Sequence, residues 1–338
     1  MKSFFIKTYC ILTLFITLSA CHEYDEWDNS PIGNFDALWT IIDEHYCFFE
    51  EKNINWEEIG NKYRKRIIPS MSQTQLFDVC AEMIDELKDG HTNLIAPFNI
   101  SYYQKWWTDY PQDFDYRVLQ EYYLGFDSKQ SAGIIYKIMK NNVGYIYYPS
   151  FSSAIGDGNI DWVLSDLIAC NALIIDIRNN GGGELTNIEK FLRRFIHQPT
   201  LGGYIRHKTG PGHSDFSDPY PFYYEPVGNE FLKWDKPVIV LTNRSCYSAA
   251  NDFVAIMKSL PNVRIVGAKT GGGGGLPFSA ELPNGWSIRF SACPITDYKD
   301  RQIENGIEPS AECEVHCTSE ELSIGKDAIL DFALSLFD

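Results

Sequence analysis

A serine lies at the junction between an apolar strand and a helix. The run at residues 237–242 is apolar and β-branched, and residues 249–260 carry apolar side chains at helical spacing. Ser248 stands between them, where backbone N–H groups at the start of a helix have no intrahelical acceptor. Two roles suit this position: a nucleophilic hydroxyl exposed at the turn, or a helix N-cap, which serine often provides.

A glycine-rich turn follows a second apolar strand, predicted at residues 172–177. The turn contains Asn179 and Asn180 and then Gly181, Gly182 and Gly183. Glycines let the backbone approach a ligand closely and leave N–H groups free to bind an anion. The pattern of a dinucleotide site and that of a P-loop are both missing. The loop is therefore either an oxyanion hole or a tight turn.

A histidine could take the proton from Ser248, because its ordinary pKa lies near 6.5. His91 follows an Asp-Gly turn and could alternatively be a surface turn residue. A Ser-His pair also needs an acid that orients the imidazole. Glu304 and Glu308 are the best candidates, because the chain returning after the five-glycine run at 271–275 could bring either to the site. Asp89 is a weaker candidate, since it is expected to hold the turn.

The elements that must position these residues fall into three segments. Residues 31–95 have apolar side chains at helical spacing and predict a helical N-terminal subdomain. Residues 96–142 are aromatic-rich and predict an irregular or small β subdomain. Residues 143–338 contain strand, helix and strand patterns in succession, which indicate an α/β core with a parallel sheet. We expect a long loop at 197–237 and a C-terminal helix at 319–336.

The N-terminus resembles that of an exported lipoprotein. Two lysines precede a short apolar run, as in a secretory signal, and residues 18–21 resemble a bacterial lipoprotein cleavage box ending at Cys21. We therefore expect a signal peptide at 1–20, a lipid on Cys21, an acidic tether at 21–30 and a lipid-anchored location in the cell envelope. The outer membrane, on its periplasmic or surface-exposed side, is the expected place.

Composition narrows the function classes. With 44% hydrophobic and 14% aromatic residues, the chain can bury a sizeable core. The formal net charge is −16. Loss of the first 20 residues would remove two lysines and make the charge more negative. Such a balance argues against nucleic acid as a partner, because phosphates attract basic surfaces. It equally argues against a basic patch on anionic lipid, so that the lipid on Cys21 would provide the membrane contact.

Seven of the nine cysteines remain after the signal peptide and the lipidated residue are set aside. An odd number in an exported protein excludes complete pairing. Cys313 and Cys317 flank His316, but no second ligand pair with zinc spacing accompanies them. We predict no metal site, and at most a disulfide there.

Five motifs occur in order along the chain: L-K-D-G-H-T at 87–92, I-D-I-R-N-N-G-G-G at 175–183, S-A-A at 248–250, V-G-A-K-T-G at 266–271 and G-I-E-P at 306–309. This ordered set resembles the C-terminal-processing serine peptidase family, which includes the tricorn protease core and interphotoreceptor retinoid-binding protein. The resemblance covers roughly residues 30–335. The resemblance implies a ClpP/crotonase-like α/β core behind a helical N-terminal subdomain.

The resemblance also implies a choice between two catalytic arrangements. One branch of the family uses a Ser-Lys dyad, but the corresponding position here is about Gly273, and Lys269 is the only lysine nearby. The tricorn-like branch uses a histidine from the D-G-H-T turn and a glutamate before the G-[IV]-x-P motif, which match His91 and Glu304. Ser248 is then the nucleophile.

The oxyanion hole of the family implies two backbone donors in this chain. They are the N–H group of Ala249 and that of Gly182, or of the neighbouring Gly181 or Gly183. Two departures from the family pattern occur. Ser310 replaces the usual aspartate after the proline, which is expected to loosen that loop. Residues 96–142 lack a clear PDZ domain.

These observations predict a serine endopeptidase or C-terminal-processing-like peptidase that acts on exported or extracellular polypeptides through a Ser-His-Glu triad. Its substrate would be a peptide or an unstructured protein, and the chemistry requires neither a metal nor an organic cofactor. The alternative is a catalytically silent lipoprotein that binds a ligand or peptide on the same scaffold. An accessory sensor and a crotonase activity fit less well, and the oligomeric state stays open.

Overall fold

The computed structural model describes residues 27–338. The expected signal peptide, the lipidated Cys21 and most of the acidic tether lie outside the described residues. Within residues 27–338, every helix is too short or too polar to span a bilayer.

Helices form where the apolar periodicity and the caps predict them. Ser30 begins the first helix by accepting a hydrogen bond from the Gly33 N–H, and Ser72 and Gln75 form a reciprocal capping box at the third. The helices, labelled in chain order, are α1 Pro31–His45, α2 Trp56–Arg64, α3 Gln73–Asp85, α4 Lys105–Thr108, α5 Tyr116–Val118, α6 Asp157–Leu167, α7 Leu185–Leu192, α8 Ala249–Met257, α9 Ser319–Ser323 and α10 Ala328–Ser335.

The strands form two six-stranded sheets. They are β1 Asn93–Ala96, β2 Asn99–Ile100, β3 Lys129–Ser131, β4 Ile134–Met139, β5 Val143–Tyr147, β6 Ala172–Asp176, β7 Thr200–Ile205, β8 Tyr220–Tyr224, β9 Val238–Thr242, β10 Val263–Gly267, β11 Gly275–Glu281 and β12 Ser287–Thr296.

The first sheet has the order β10-β9-β6-β5-β4-β3. Its four strands from β10 to β5 are parallel, and β4 and β3 add an antiparallel hairpin at one edge. Helix α6 connects β5 to β6, so the predicted parallel strand-helix-strand unit is confirmed. Because β9 and β6 are neighbours, the turn that follows β9 and the glycine loop that follows β6 emerge at the same sheet edge.

The second sheet is antiparallel, and it connects the helical segment to the rest of the chain. Its order is β2-β1-β12-β7-β8, with β11 on the other side of β12. The pairing of β1 with β12 sets Asn93 opposite Arg289. This register carries the D-G-H-T turn, which ends just before β1, to the first sheet.

Three hydrophobic clusters stabilise this arrangement. One fills the space between the first sheet and helices α6, α7 and α8, and another packs α10 on the opposite face of that sheet. The third packs α1, α2 and α3 against the second sheet, with Trp286 among its largest buried side chains. The predicted α/β class is confirmed.

Two expectations about secondary structure are wrong. The stretch at 197–237 is not only loop, because β7 and β8 form there; β7 pairs with the distant β12, a partner that local patterns do not reveal. The expected helix at 319–336 is two helices. Gly325 at φ +79° ends the first, and the Asp327 side chain caps the second.

The seven cysteines among the described residues are buried and free. The optional disulfide between Cys313 and Cys317 is therefore not formed. Both thiols belong to the cluster that packs α10.

Candidate active site

Ser248 sits in a strained turn between β9 and α8. Its backbone has φ 56° and ψ −127°, a region that costs a non-glycine residue of order 1–3 kcal/mol. Two hydrogen bonds over-determine this conformation, one from the Ser248 N–H to the Gly272 carbonyl at 2.8 Å and one from the Asp252 N–H to the Ser248 carbonyl at 3.1 Å. Ser248 occupies the N-cap position of α8, but its side chain makes no capping hydrogen bond, so capping does not account for a serine here.

His91 lies against this serine. Its Nε2 is 2.9 Å from Ser248 Oγ, although the two residues are 157 positions apart in sequence. The His91 N–H donates to Asp89 Oδ1 at 2.8 Å, which fixes the turn after α3. Because His91 is 4% exposed, the alternative of a surface turn residue is wrong.

The surroundings of His91 favour the neutral imidazole. Burial lowers its pKa to about 4, and Arg289 and Lys52 add to this effect while Asp89 opposes it. A neutral ring whose Nε2 accepts from Ser248 must carry its proton on Nδ1. Nδ1 is buried without a well-formed hydrogen bond to any described residue, and the Gly275 carbonyl is the backbone group that favours the protonated ring. The histidine is thus poised to accept a proton at neutral pH.

Glu304 does not contact His91 in the way a triad requires. Its Oε1 lies 2.8 Å from Lys52 Nζ, and its Oε2 accepts a hydrogen bond from the Gly274 N–H at 2.9 Å. Among residues 27–338, the imidazole of His91 does not form the expected hydrogen bond with this carboxylate. The reason is competition, because a buried carboxylate pairs with the closest cation, which here is Lys52.

Lys52 is a site residue that the sequence patterns missed. It follows α1 in a loop without periodicity, so only its spatial neighbours reveal it. Besides Glu304, its ammonium lies 3.8 Å from Asp89 Oδ2, and Asp89 also accepts a hydrogen bond from Ser291 Oγ at 2.9 Å. One partly buried lysine therefore pairs with two buried carboxylates, of which one supports the His91 turn.

Burial and the shared Lys52 cation act in opposite directions on the pKa values of the two carboxylates. Burial raises the pKa of Glu304 to about 7, with Asp89 adding to the rise and Lys52 opposing it. Burial also opposes ionisation of Asp89, but Lys52 and His91 hold its pKa below the ordinary value. The proton that this cluster can take up near neutral pH therefore goes to Glu304.

The other acid and lysine candidates lie elsewhere. Glu308 pairs with Lys269 at 2.8 Å on the surface, where both side chains are exposed.

Ser310 does not loosen its loop, because its backbone N–H donates to the Ile265 carbonyl and its hydroxyl accepts from the Ile265 N–H, each at 2.9 Å.

An aromatic ring occupies the place where a dyad lysine would lie. A side chain on Gly273 would meet the Tyr247 ring at 2.6 Å, because the glycine run packs directly on that ring. Trp106, from the aromatic-rich segment, stacks on the other side of Tyr247 with ring centroids 4.1 Å apart. This segment thus packs against the site.

The predicted oxyanion donors are close to the serine. The Ala249 N–H, at the first position of α8, donates to no acceptor among the described residues. Gly182 packs against this turn so tightly that a Cβ would lie 2.9 Å from the Ala249 nitrogen, but its own N–H donates to Asn180 Oδ1 at 2.9 Å. Of the three glycines, Gly183 lines the cavity beside Ser248.

That cavity has a volume of about 280 Å³. Its walls carry three charged residues that the sequence patterns did not single out: the exposed Glu184, Asp252 and Arg289. Arg289 Nη1 lies 3.4 Å from the His91 carbonyl and 3.3 Å from Asn93 Oδ1, as the β1–β12 register requires. Asp252 lies one turn of α8 beyond Ser248, where the helical spacing itself could have indicated it.

The chain resembles several proteins of known structure. A candidate peptidase from Parabacteroides merdae ATCC 43184 is 45% identical, with a TM-score of 0.86 over 92% of this chain and 97% of that one. Mature CPAF in complex with lactacystin has a TM-score of 0.67 at 12% identity, over 91% and 97% of the two chains. The photosystem II D1 C-terminal processing protease gives 0.53 at 14% identity, over 86% and 94%. The last two likenesses concern the fold.

A curated relative from Chlamydia muridarum, an uncharacterized protein, is 33% identical over 132 residues, which are 36% of this chain and 20% of that protein. The chain thus spans about a fifth of the length of the curated relatives it matches. Family models add the assignment: the tricorn protease C1 domain matches residues 29–85, and peptidase family S41 matches residues 142–313. The model of peptidase family S41 matches about half of the chain, so the chain belongs to peptidase family S41.

Proposed function

We propose that this chain is a serine peptidase in which Ser248 is the nucleophile and His91 the general base. The observation that carries the proposal is the 2.9 Å contact between Ser248 Oγ and Nε2 of a buried, neutral histidine. This separation is within the 2.6–3.2 Å that proton transfer between such groups needs. Membership of family S41 and the strained turn at Ser248 support the same assignment.

In the first half-reaction, Ser248 Oγ attacks the carbonyl carbon of a peptide bond while its proton passes to His91 Nε2. The tetrahedral intermediate then collapses, the C–N bond breaks, and His91 gives the proton to the departing amine nitrogen. In the second half-reaction, water attacks the acyl ester and loses a proton to His91. The carboxylic acid leaves, and Ser248 Oγ recovers the proton.

The negative charge on the carbonyl oxygen needs donors that are unused in the free protein. The Ala249 N–H satisfies this condition, and α8 adds its positive N-terminal end. Because the Gly182 N–H is occupied by Asn180, we assign the second donor to Gly183, which lines the same cavity. Such a donor typically contributes about 2.7–4 kcal/mol to transition-state stabilisation.

Glu304 acts here through its neighbours and is a positioning residue. Its carboxylate holds Lys52 and the Gly274 N–H, while Lys52 faces Asp89 and Asp89 holds the His91 turn. The net negative charge that Asp89 and Glu304 carry when both are ionised would also stabilise the imidazolium formed during the reaction. The substrates we propose are exported or extracellular polypeptides in an unfolded state.

The test is hydrolysis of β-casein, an unstructured protein, by the full chain and by variants. Ser248→Ala and His91→Ala should each lower kcat by at least about 10⁴-fold, because the two residues act as one unit. Ser245→Ala, in the same turn, is the matched control and should retain turnover. A fluorophosphonate probe should label the wild type at Ser248.

Two outcomes would contradict the proposal. Turnover by Ser248→Ala at the wild-type rate would exclude this nucleophile. A folded wild type that neither hydrolyses β-casein nor reacts with the probe would favour the silent, ligand-binding alternative.

A further inference from the structure

The cavity beside Ser248 contains a buried carboxylate that has no ion-pair partner among residues 27–338. Asp252 is 9% exposed, and its Oδ1 makes no hydrogen bond with any described residue. Within residues 27–338, no lysine, arginine or histidine forms an ion pair with it. Leaving such a group unpaired is costly, since a buried charge normally has a counter-charge or several hydrogen bonds.

The energetic cost of burying this carboxylate appears as a raised pKa. Burial raises the pKa of Asp252 to about 7, and the negative charge of Glu304 adds to the rise. Burial also raises the pKa of Tyr224 of β8, and the nearby charges of Asp252 and of Glu189 on α7 add to that rise. The side of the cavity around Asp252 is therefore acidic and lacks a cation of its own.

Arg289, on the other wall, is occupied elsewhere. Its guanidinium lies against Asn93 and the His91 carbonyl, and the charges that act on its pKa are those of Asp89 and Tyr247. Asp252 is not among them. The arginine therefore leaves the Asp252 carboxylate available to a group from outside.

The position of Asp252 indicates which group that is. Asp252 lies four residues after Ser248 on the same helix, and both line one cavity together with Ala249, the oxyanion donor. The side chain nearest to an attacked carbonyl is that of the residue on its amino-terminal side, called P1. The cavity has about 280 Å³, just below the range of about 300–1,000 Å³ typical of sites for whole small molecules, so it suits one side chain.

The remaining walls suit the stem of a long side chain. Leu185, Leu276 and Ile295 supply apolar surface along the cavity, and Asp252 supplies an anion. Lysine and arginine combine an aliphatic stem with a cationic head in the same way. A cation at Asp252 would supply the missing partner and keep the carboxylate ionised.

Resting on the proposed function, we infer that Asp252 is the specificity-determining residue of the S1 pocket and that the peptidase cleaves after lysine or arginine. A neutral hydrogen-bonding P1 residue is the competing occupant, because a protonated Asp252 could donate to it. The two occupants differ in charge, so matched substrates separate them.

The experiment compares fluorogenic peptides that differ only at P1, arginine against citrulline and lysine against norleucine. Citrulline keeps the shape and most hydrogen bonds of arginine but lacks its charge. We expect kcat/KM to be about 10- to 150-fold higher for arginine, as a charged hydrogen bond of about 1.5–3 kcal/mol implies. Asp252→Asn should bring the ratio to within about threefold of one, whereas a merely structural defect would lower both rates and keep the ratio.

Glu281→Gln is the matched control, because Glu281 is an exposed carboxylate of β11, whose first residues line the cavity, but does not line the cavity itself. Its arginine-to-citrulline ratio should change by less than about threefold, since exposed charges are strongly screened. Equal rates for arginine and citrulline in the wild type would overturn the inference without any variant. So would an unchanged ratio in Asp252→Asn.

Cleavage sites in β-casein distinguish the two levels of the proposal. Sites that depend on Ser248 but lack lysine or arginine at P1 would refute the S1 assignment and leave the peptidase function standing. The absence of any Ser248-dependent cleavage would refute both.

Discussion

The proposed catalytic pair combines a strained serine with a histidine that burial keeps neutral. Ser248 is held at positive φ by hydrogen bonds to neighbouring backbone, so its hydroxyl points away from the helix it would otherwise cap. His91 has an accepting nitrogen at 2.9 Å and a pKa of about 4. A base with so low a pKa is weak in the resting protein. The carboxylates of Asp89 and Glu304 would help it once it carries the proton.

The unpaired carboxylate of Asp252 predicts a pH-dependent stability. Because its pKa is about 7 in the folded state against 3.8 ordinarily, the stability it contributes is fully present below pH 3.8 and is lost as the pH rises through 7. Asp252→Asn removes this loss. The variant should therefore gain about 2–3 kcal/mol relative to wild type between pH 5 and pH 8, as measured by urea unfolding.

The control for this prediction is Asp300→Asn. Ion pairing with Arg206 lowers the pKa of Asp300, so that carboxylate stays ionised from pH 5 to pH 8. Its effect on the free energy of unfolding should be equal at both pH values. A pH-independent effect of Asp252→Asn would mean that the carboxylate has a partner in solution.

At the scale of elements, the site depends on how strands end. The turns after β6 and β9 emerge side by side because these strands are parallel neighbours, and the glycine run after β10 closes on the Ser248 turn. Gly272 shows why glycine is needed there: its φ is +89°, and a Cβ would lie 1.8 Å from the Glu304 carbonyl oxygen. The elements thus leave no room for a side chain between the nucleophile turn and Glu304.

A buried ion cluster fastens α10 to the end of β6. Arg178 donates to both carboxylate oxygens of Asp327, each at 2.8 Å, and also pairs with Asp176 at 2.6 Å. Asp327 additionally caps α10 by accepting from the Leu330 N–H. Asp327→Ala would leave Arg178 with one partner fewer and the helix without its cap. We expect a loss of about 3–5 kcal/mol in the free energy of unfolding, measured with urea.

The comparison for this prediction is the exposed Arg206–Asp300 pair. Asp300→Asn removes the charge of this pair but keeps a residue that tolerates the φ of 57° and an oxygen for Thr296, and it should cost less than about 1 kcal/mol. Similar losses in the two variants would contradict the structural role assigned to the Asp327 cluster.

At the scale of the whole molecule, the site lies where two cores meet. The helical segment and its loop supply His91, Asp89 and Lys52, while the first sheet supplies Ser248. Arg289 comes from β12, and Glu304 from the chain that follows it. The charges that set the pKa of His91 therefore come from three separate regions of the sequence.

This charge distribution predicts an unusual pH-rate profile. The acid limb of kcat/KM for β-casein peptides should lie well below pH 6.5, because burial, Arg289 and Lys52 all lower the pKa of His91. Lys52→Met removes one of these cations and should move the limb to higher pH. Lys52→Arg keeps the charge and should preserve the wild-type profile.

Lys62→Met is the control, because Lys62 belongs to the same helical segment but is exposed and pairs with Glu86. It should leave the profile unchanged. An acid limb at or above pH 6.5 in the wild type would show that His91 is not the base that titrates. An unchanged limb in Lys52→Met would remove Lys52 from the site.

Much of the fold follows from local sequence patterns. The capping box at Ser72, the apolar spacing of the first three helices and the strand-helix-strand order from β5 to β6 depend on neighbours within a few residues. The same is true of the Asp-Gly turn that holds His91, and the residue types at the Ser248 turn can be read locally, although its strained backbone is held by the distant Gly272. Their types and spacing therefore indicated a hydroxyl, a base and an anion-binding loop before any contact between them was known.

Tertiary structure decided what those residues face. The β1–β12 register brings His91 to Ser248, and Lys52 pairs with the carboxylate of Glu304 that the family resemblance assigned to the imidazole. Among the described residues, Asp252 forms no ion pair, because Arg289, the cation that lines the same cavity, contacts other groups. Pairings of this kind depend on residues far apart in the chain and on burial, which strengthens each charge and penalises each missing partner. Local periodicity contains neither quantity, so only the folded chain could reveal them.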